Sequence, residues 1–303
     1  LTARPARPAH LSVATATGGG DGGNGGTRGR RGSRGGARRT LHAPRADADA
    51  GAAFTAPPAA GAARGKLLIV ATPIGNLGDL SPRAREALAA ADLVACEDTR
   101  RTGQLLALLG LRKPLLSLHE HNERRRLPRL LGELTAGRVV ALTSDAGTPL
   151  LSDPGYLLVR EAAALGLRVE PLPGPSGVLA ALVVSALPPY PFTFAGFAPP
   201  RQGKRRAFYR GWAGLGHTLV VFESPHRLLA SLADALEELG DRPAAVAREL
   251  TKLHEEVVRA PLARQLATWQ ARGTLRGEFV LVIGSPTAAE PAPEDPSAVE
   301  ESA

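Results

Sequence analysis

Val139-Val140-Ala141-Leu142 runs through Thr143 into Ser144-Asp145-Ala146-Gly147-Thr148-Pro149 and then Ser152-Asp153-Pro154-Gly155, and this stretch decides the architecture. An apolar run of that length, rich in valine, reads as a buried strand. The Asp- and Pro-containing turns behind it end the strand in a loop of restricted backbone geometry. Gly147 lets a ligand approach the backbone closely, and Asp145 is an acceptor for an amine or a ribose hydroxyl. A loop that served connectivity alone would not need both.

The same grammar repeats outward from this point. Short apolar strands are expected near 67–72, 92–96, 114–118, 138–142 and 168–172, with helical patterns near 82–90, 100–109, 122–136, 155–165 and 175–186. Alternation of this kind requires a mostly parallel sheet covered by helices, so the fold class is α/β. Five strand–helix units make a first domain over 65–187. After the turn-rich Leu187-Pro188-Pro189-Tyr190-Pro191, strands are expected at Phe192–Phe197, His217–Glu223, Ala244–Glu249 and Glu278–Ile283, giving a second, smaller α/β domain over 188–286. No internal repeat is visible.

The ends of the chain differ in composition. Residues 1–64 combine glycine runs with arginine and alanine and have too few apolar positions to offset the entropy of ordering, so a disordered low-complexity tail is expected there. An Arg/Gly RNA-binding arm and an organelle transit peptide are alternative readings of that tail. A second, acidic tail is expected over 287–303. The formal net charge of +8 is located entirely at the N-terminus, because residues 1–66 hold eleven Lys and Arg against three Asp while 67–303 are balanced. A basic whole-chain charge is therefore no evidence for a nucleic-acid surface on the body. No apolar run approaches the roughly 20 residues of a membrane span, so no membrane is expected and the localisation is read as cytoplasmic, or organellar if the tail is a transit peptide. Cys96 is the only cysteine, which excludes an intrachain disulfide and a cysteine metal cluster.

Candidate chemistry sits where strands end and helices begin, the place where open α/β sheets hold ligands. Thr72-Pro73-Ile74-Gly75-Asn76-Leu77 follows the first strand and lacks the spacing of a dinucleotide fingerprint. Cys96-Glu97-Asp98-Thr99-Arg100 closes the second, where the charged residues are either functional or a helix cap with its ion pair. His119-Glu120-His121-Asn122-Glu123 follows the third; two histidines on one face are half a metal site, but with no third ligand at a recognisable spacing no metal is expected. Leu172-Pro173-Gly174-Pro175-Ser176-Gly177 follows the fifth, and Pro175 and Ser176 are suited to start a helix. Pro200–Trp212 interleaves the cations Arg201, Lys204, Arg205, Arg206 and Arg210 with Phe208, Tyr209 and Trp212, a mixture fitted to phosphates and unpaired bases. Arg124–Arg126 with Arg129 form a second basic stretch, equally well explained as a solvated helix face.

Taken in order, TPIGNL, EDTR, HEHNE, SDAGTPLLSDPG, PLPGPSG, GFAPP, FESPHR, RELTK and RGEFV resemble the ribosomal RNA small subunit methyltransferase I family of the tetrapyrrole methylase superfamily across about 66–286. The resemblance implies a two-domain tetrapyrrole-methylase-like fold with the cofactor cleft between the domains. It implies S-adenosyl-L-methionine as cofactor, a homodimer, and 2'-O-methylation of a cytidine ribose in the decoding region of 16S rRNA in the 30S subunit. By position it places Pro73, Gly75, Asp145, Ala146, Gly147 and Thr148 at the cofactor, with Gly174–Ser176 beside them. It also sets Phe222–Arg227 and Arg248–Lys252 on the opposite wall. Deprotonation of the ribose hydroxyl needs a base, for which Asp98, His119, His121, Glu223 and Glu249 are candidates. The group Glu97, Asp98 and Arg100 is the first choice for the catalytic residues. Family members continue past the last strand into a small helical region, whereas this chain runs into Pro/Ala/Glu-rich Pro286–Ala303, which implies weaker rRNA binding or a fragment. Two other functions compete: methylation of a precorrin on the same fold, and RNA binding without catalysis.

Overall fold

A computed structural model describes residues 65–286; the tails expected over 1–64 and 287–303 lie outside the described residues. In the first half, β1 (Lys66–Val70), β2 (Leu93–Cys96), β3 (Leu115–Ser117), β4 (Val139–Thr143) and β5 (Arg168–Leu172) alternate with α1 (Pro82–Ala90), α2 (Thr99–Leu108), α3 (Glu123–Thr135), α4 (Tyr156–Ala164) and α5 (Gly177–Val184). The strands form one sheet in the order β3-β2-β4-β1-β5, parallel at every pairing. Period-two alternation buries both faces. Leu67, Leu93, Ala95, Leu116, Val140 and Leu142 meet α3 and α4, while Leu68, Val70, Val94 and Ala141 meet α1 and α2. The chain leaves β1 toward β2 and leaves the adjacent β4 toward β5, with the intervening helices on opposite faces. The C-terminal ends of β1 and β4 are therefore the topological switch point.

The second sheet is mixed. It consists of β6 (Phe192–Phe197), β7 (Thr218–Glu223), β8 (Pro243–Arg248), β9 (Glu256–Pro261) and β10 (Phe279–Ile283) in the order β6-β7-β10-β8-β9. Only β6 and β7 run parallel. The strand β9 is additional to the four expected from the sequence. It is an edge strand with a partly buried pattern, interrupted by Arg259 and ending in Pro261, so it lacks the apolar run that marks a central strand.

One face of this sheet is covered by α6 (Gln202–Gly211), α7 (Leu228–Leu239) and α8 (Leu262–Gln270). These helices close an outer core around Leu219 and Val221 of β7, in which Trp269 and Phe279 meet edge to face at 5.4 Å. The other face carries Val220, Phe222, Ala245, Ala247 and Val282, and packs against Val178, Ala181 and Leu182 of α5 and against Ile74 from the loop after β1. That shared core joins the two halves, so α5 belongs to the first domain by its place in the chain and to the second sheet by its packing.

Helix α6 overturns part of the RNA-surface expectation. Arg205 Nε donates to Asp234 Oδ2 on α7 at 2.7 Å, with both side chains almost fully buried, and Arg205 Nη1 donates to the Pro200 carbonyl at 3.1 Å. Arg206 pairs with Glu237 and Glu238, and Arg210 with Glu238 at 2.8 Å. Tyr209 is fully buried and bonds Ser231, while Phe208 and Trp212 pack on the outer core. The cause is helical periodicity. Positions 205 and 209 fall on the face turned to α7, and 206 and 210 flank it. Arg201 and Lys204 are exposed, and their side chains carry no ion pair among the described residues.

Candidate active site

The loops at the C-terminal ends of β1, β2, β4 and β5 are stitched together at the switch point. Thr72 and Gly147 exchange two backbone hydrogen bonds of 2.9 and 3.0 Å. The Thr72 hydroxyl donates to the Ser144 carbonyl at 3.1 Å, and the Thr148 hydroxyl to the Pro175 carbonyl at 3.1 Å. Gly147 has φ +87°, and a Cβ there would stand 3.3 Å from Ile74 Cγ2, so the position favours glycine on both counts. Its own amide and carbonyl are spent on Thr72 and are not available to a ligand. Ser176 caps α5 by accepting from the Leu179 amide.

From the second half, Lys252 reaches over to this rim. A Cβ on Gly75 would fall 2.3 Å from Lys252 Cγ, which places the lysine stem directly on the Thr72–Leu77 loop. Its ammonium bridges Glu249 Oε1 at 2.9 Å and Glu278 Oε2 at 3.1 Å. Glu249 and Thr251 hold φ of 50° and 65°, left-handed values that non-glycine residues adopt at a cost. Between the halves lies a cleft of about 220 Å³. Ile74, Asp145, Ala146 and Asp153 form one wall, and Phe197, Phe222 and Leu250 lie across from them.

The structure separates the candidates for proton transfer. Asp98 is a helix cap: its Oδ2 accepts from Arg100 Nη2 at 2.9 Å and its Oδ1 from the Arg100 amide at 2.8 Å. Those bonds hold the carboxyl down at about 2, which makes it a poor acceptor near neutral pH. Of the two roles open to Asp98 and Arg100, the observed contacts are those of a helix cap with its ion pair. Glu97 does not line the cleft; partial burial of its carboxyl and the neighbouring Asp145 charge raise its pKa. Glu223 borders the cleft, but alternation along β7 turns its side chain to the outer core, where Oε1 accepts from Arg227 Nε at 2.9 Å. Glu249 is engaged by Lys252 and by the Glu278 amide. His119 and His121 meet edge to face at 6.0 Å, outside the cleft lining.

Two carboxylates remain on the first wall. Asp145 accepts from the Asp98 amide at 3.0 Å and pairs with Arg101 at 3.2 Å. Burial raises its pKa, opposed by those two partners. Asp153 is pushed up to about 7, first by burial and then by the negative charges of Glu97 and Asp145, with the Ser144 hydroxyl working the other way. Its loop is pinned from beneath: Glu123 Oε1 accepts from the Gly155 and Leu157 amides at 3.1 and 3.0 Å. Within the SDAGTPLLSDPG motif nothing sets Asp153 apart from its neighbours, and no role is expected of it from sequence. The signal available was a second aspartate before proline in a strand-end loop.

The chain is similar to known proteins in sequence and fold. Residues 66–265 match the family described as Tetrapyrrole (Corrin/Porphyrin) Methylases. A ribosomal RNA small subunit methyltransferase I of Xylella fastidiosa is 49% identical over 221 residues, covering 72% of this chain and 81% of the relative. One of Mycobacterium tuberculosis is 49% identical over 229 residues, covering 75% and 80%. Among solved structures, uroporphyrin III C-methyltransferase from Thermus thermophilus superposes with a TM-score of 0.52 at 21% identity, covering 73% of this chain and 97% of that one. Diphthine synthase superposes at 0.57 and 16%, covering 73% and 90%. At these identities the two structures speak for the fold alone. With the family match and the relatives in agreement, the chain belongs to the tetrapyrrole (corrin/porphyrin) methylases and, within them, to the ribosomal RNA small subunit methyltransferase I family.

Proposed function

We propose that this chain transfers a methyl group from S-adenosylmethionine to the 2'-oxygen of a cytidine ribose in 16S rRNA, with the 30S subunit as substrate. The observation that carries this reading is the convergence of four strand-end loops on one switch point, facing an aromatic and apolar wall of the second sheet. The lining fits the cofactor chemically: Asp145 supplies negative charge for a sulfonium cation, while Phe222, Leu250 and Ala146 supply apolar surface for a heterocycle. The residues that would hold it are Asp145 and Ala146, with Pro73, Gly75, Gly147, Thr148 and Ser176 framing the loops. When bound, the cofactor supplies an electrophilic methyl group. The chain's own work is to align the ribose oxygen, to exclude water and to accept a proton, and alignment alone accounts for much of such a rate enhancement.

For the RNA, Arg201 and Lys204 on the second half and Arg124, Arg125 and Arg129 on α3 are the exposed cations of the two basic stretches that carry no ion pair among the described residues. A homodimer is supported by α5. That helix is apolar on every side, yet Leu179 and Val183 are 53% and 73% exposed. No helix among the described residues is long and apolar enough to cross a membrane, and a cytoplasmic location follows from the proposed substrate. Labelled methyl transfer to purified 30S subunits, followed by mapping of the modified nucleotide, tests the reading. Methylation of a base, or of no RNA at all, would sink it.

A further inference from the structure

We propose that Asp153 is the proton acceptor of the methyl transfer, taking the proton of the ribose 2'-hydroxyl. The inference rests on the reaction proposed above and adds the residue that performs its acid–base step. Geometry selects it. Of the carboxylates around the cleft, Asp98 is committed to its cap, Glu223 faces the outer core with Arg227, and Glu249 and Glu278 are held by Lys252. Asp145 is held by the Asp98 amide and Arg101. Asp153 alone among these lines the cleft with no cation paired to it among the described residues.

The loop that presents it is built to hold one position. Leu150 and Ser152 adopt φ of 72° and 69°, left-handed values for non-glycine residues, and Gly155 has φ 122°. A Cβ at Gly155 would come within 2.5 Å of Leu142 Cδ2 in β4, so the loop lies flat on the strand. Glu123 ties its far end through two amides. Backbone strain of this kind persists only where the surroundings over-determine it, and it gathers at functional sites. The charged groups facing Asp153 are Glu97 at the end of β2, Asp145 after β4 with its partner Arg101 on α2, and, across the cleft, Glu278 with Lys252. Burial first, and then the negative charges of Glu97 and Asp145, leave the carboxylate basic enough to accept a proton near neutral pH, the condition for an efficient general base.

The step balances. The hydroxyl O–H bond breaks and its proton passes to the Asp153 carboxylate. The ribose oxygen–methyl bond forms as the methyl–sulfur bond breaks, and that electron pair remains on sulfur, which becomes neutral.

The test compares the full chain with Asp153→Asn. Single-turnover methyl transfer to 30S subunits should fall at least 100-fold, within the span of about 10²–10⁴ typical of general bases, while calorimetric S-adenosylmethionine affinity stays within about threefold. Carbon-13 NMR of aspartate-labelled protein should show one carboxyl titrating near pH 7 that is missing from the variant. An active parent whose variant keeps its rate, or loses rate only in step with cofactor affinity, overturns the assignment of Asp153. A parent that methylates no 30S RNA overturns the functional reading and this inference with it.

Discussion

The rim of the first sheet and helix α6 are both rich in charged residues, and they use them in opposite ways. On α6 the arginines at 205, 206 and 210 are consumed by Asp234, Glu237 and Glu238 of α7, so charge there holds one helix against another. At the rim, carboxylates from loops distant in sequence are pressed together, and burial raises the pKa of Asp145 and Asp153. Packing that pairs every charge builds structure. Packing that gathers like charges costs stability and leaves a group ready for proton transfer.

If charge on α6 is structural, Arg205→Ala should have the largest effect on folding. It strands Asp234 without a partner in the core, and loss of one member of a buried pair costs about 3–5 kcal/mol. Urea unfolding should show a midpoint lowered accordingly. An unchanged midpoint would mean that Arg205 is free for RNA after all. At the rim, Gly147→Val forces a branched residue into φ +87° against Ile74. S-adenosylmethionine affinity should fall at least tenfold, about 1.4 kcal/mol, as read by calorimetry, and a normal titration curve would remove this loop from the cofactor site.

Stability against pH separates the two regions further. The folded-state pKa of Asp153, at about 7, lies above its unfolded value, so ionisation destabilises the fold. Stability is fully retained below the unfolded value, about 3.9, and is lost as pH rises through the folded one. Asp153→Asn should therefore exceed the parent in stability by about 1 kcal/mol at pH 8, after discounting for solvent screening, and match it near pH 4. Paired denaturant curves at the two pH values check this; a variant less stable at pH 8 would contradict the raised pKa. The smallest effect is expected for Arg201→Ala combined with Lys204→Ala. If both track phosphates, the log–log salt slope of 30S binding should drop by about 1.5, without a change in cofactor affinity. An unchanged slope would leave α6 with no RNA role.

Legibility followed the range of the interaction. The five strand–helix units of the first half could be read because buried parallel strands are short apolar runs separated by helical periodicity. The edge strand β9 could not, since its pairing with β8 supplies what its side chains do not advertise. In the site, the loops were legible as motifs. The roles within them were not: a hydrogen bond such as Asp98 amide to Asp145, separated by 47 residues, leaves no local trace.

Periodicity, turn chemistry and composition are local properties, and they suffice for the α/β class, the strand-end placement of the polar motifs and the confinement of the net positive charge to the first 66 residues. Which charges are spent inside the molecule and which face the cleft is settled by packing. Lys204 and Arg205 are neighbours in the chain, yet the arginine is buried against Asp234 and the lysine faces solvent. That outcome depends on which element packs across from a side chain, and folding alone brings those partners together.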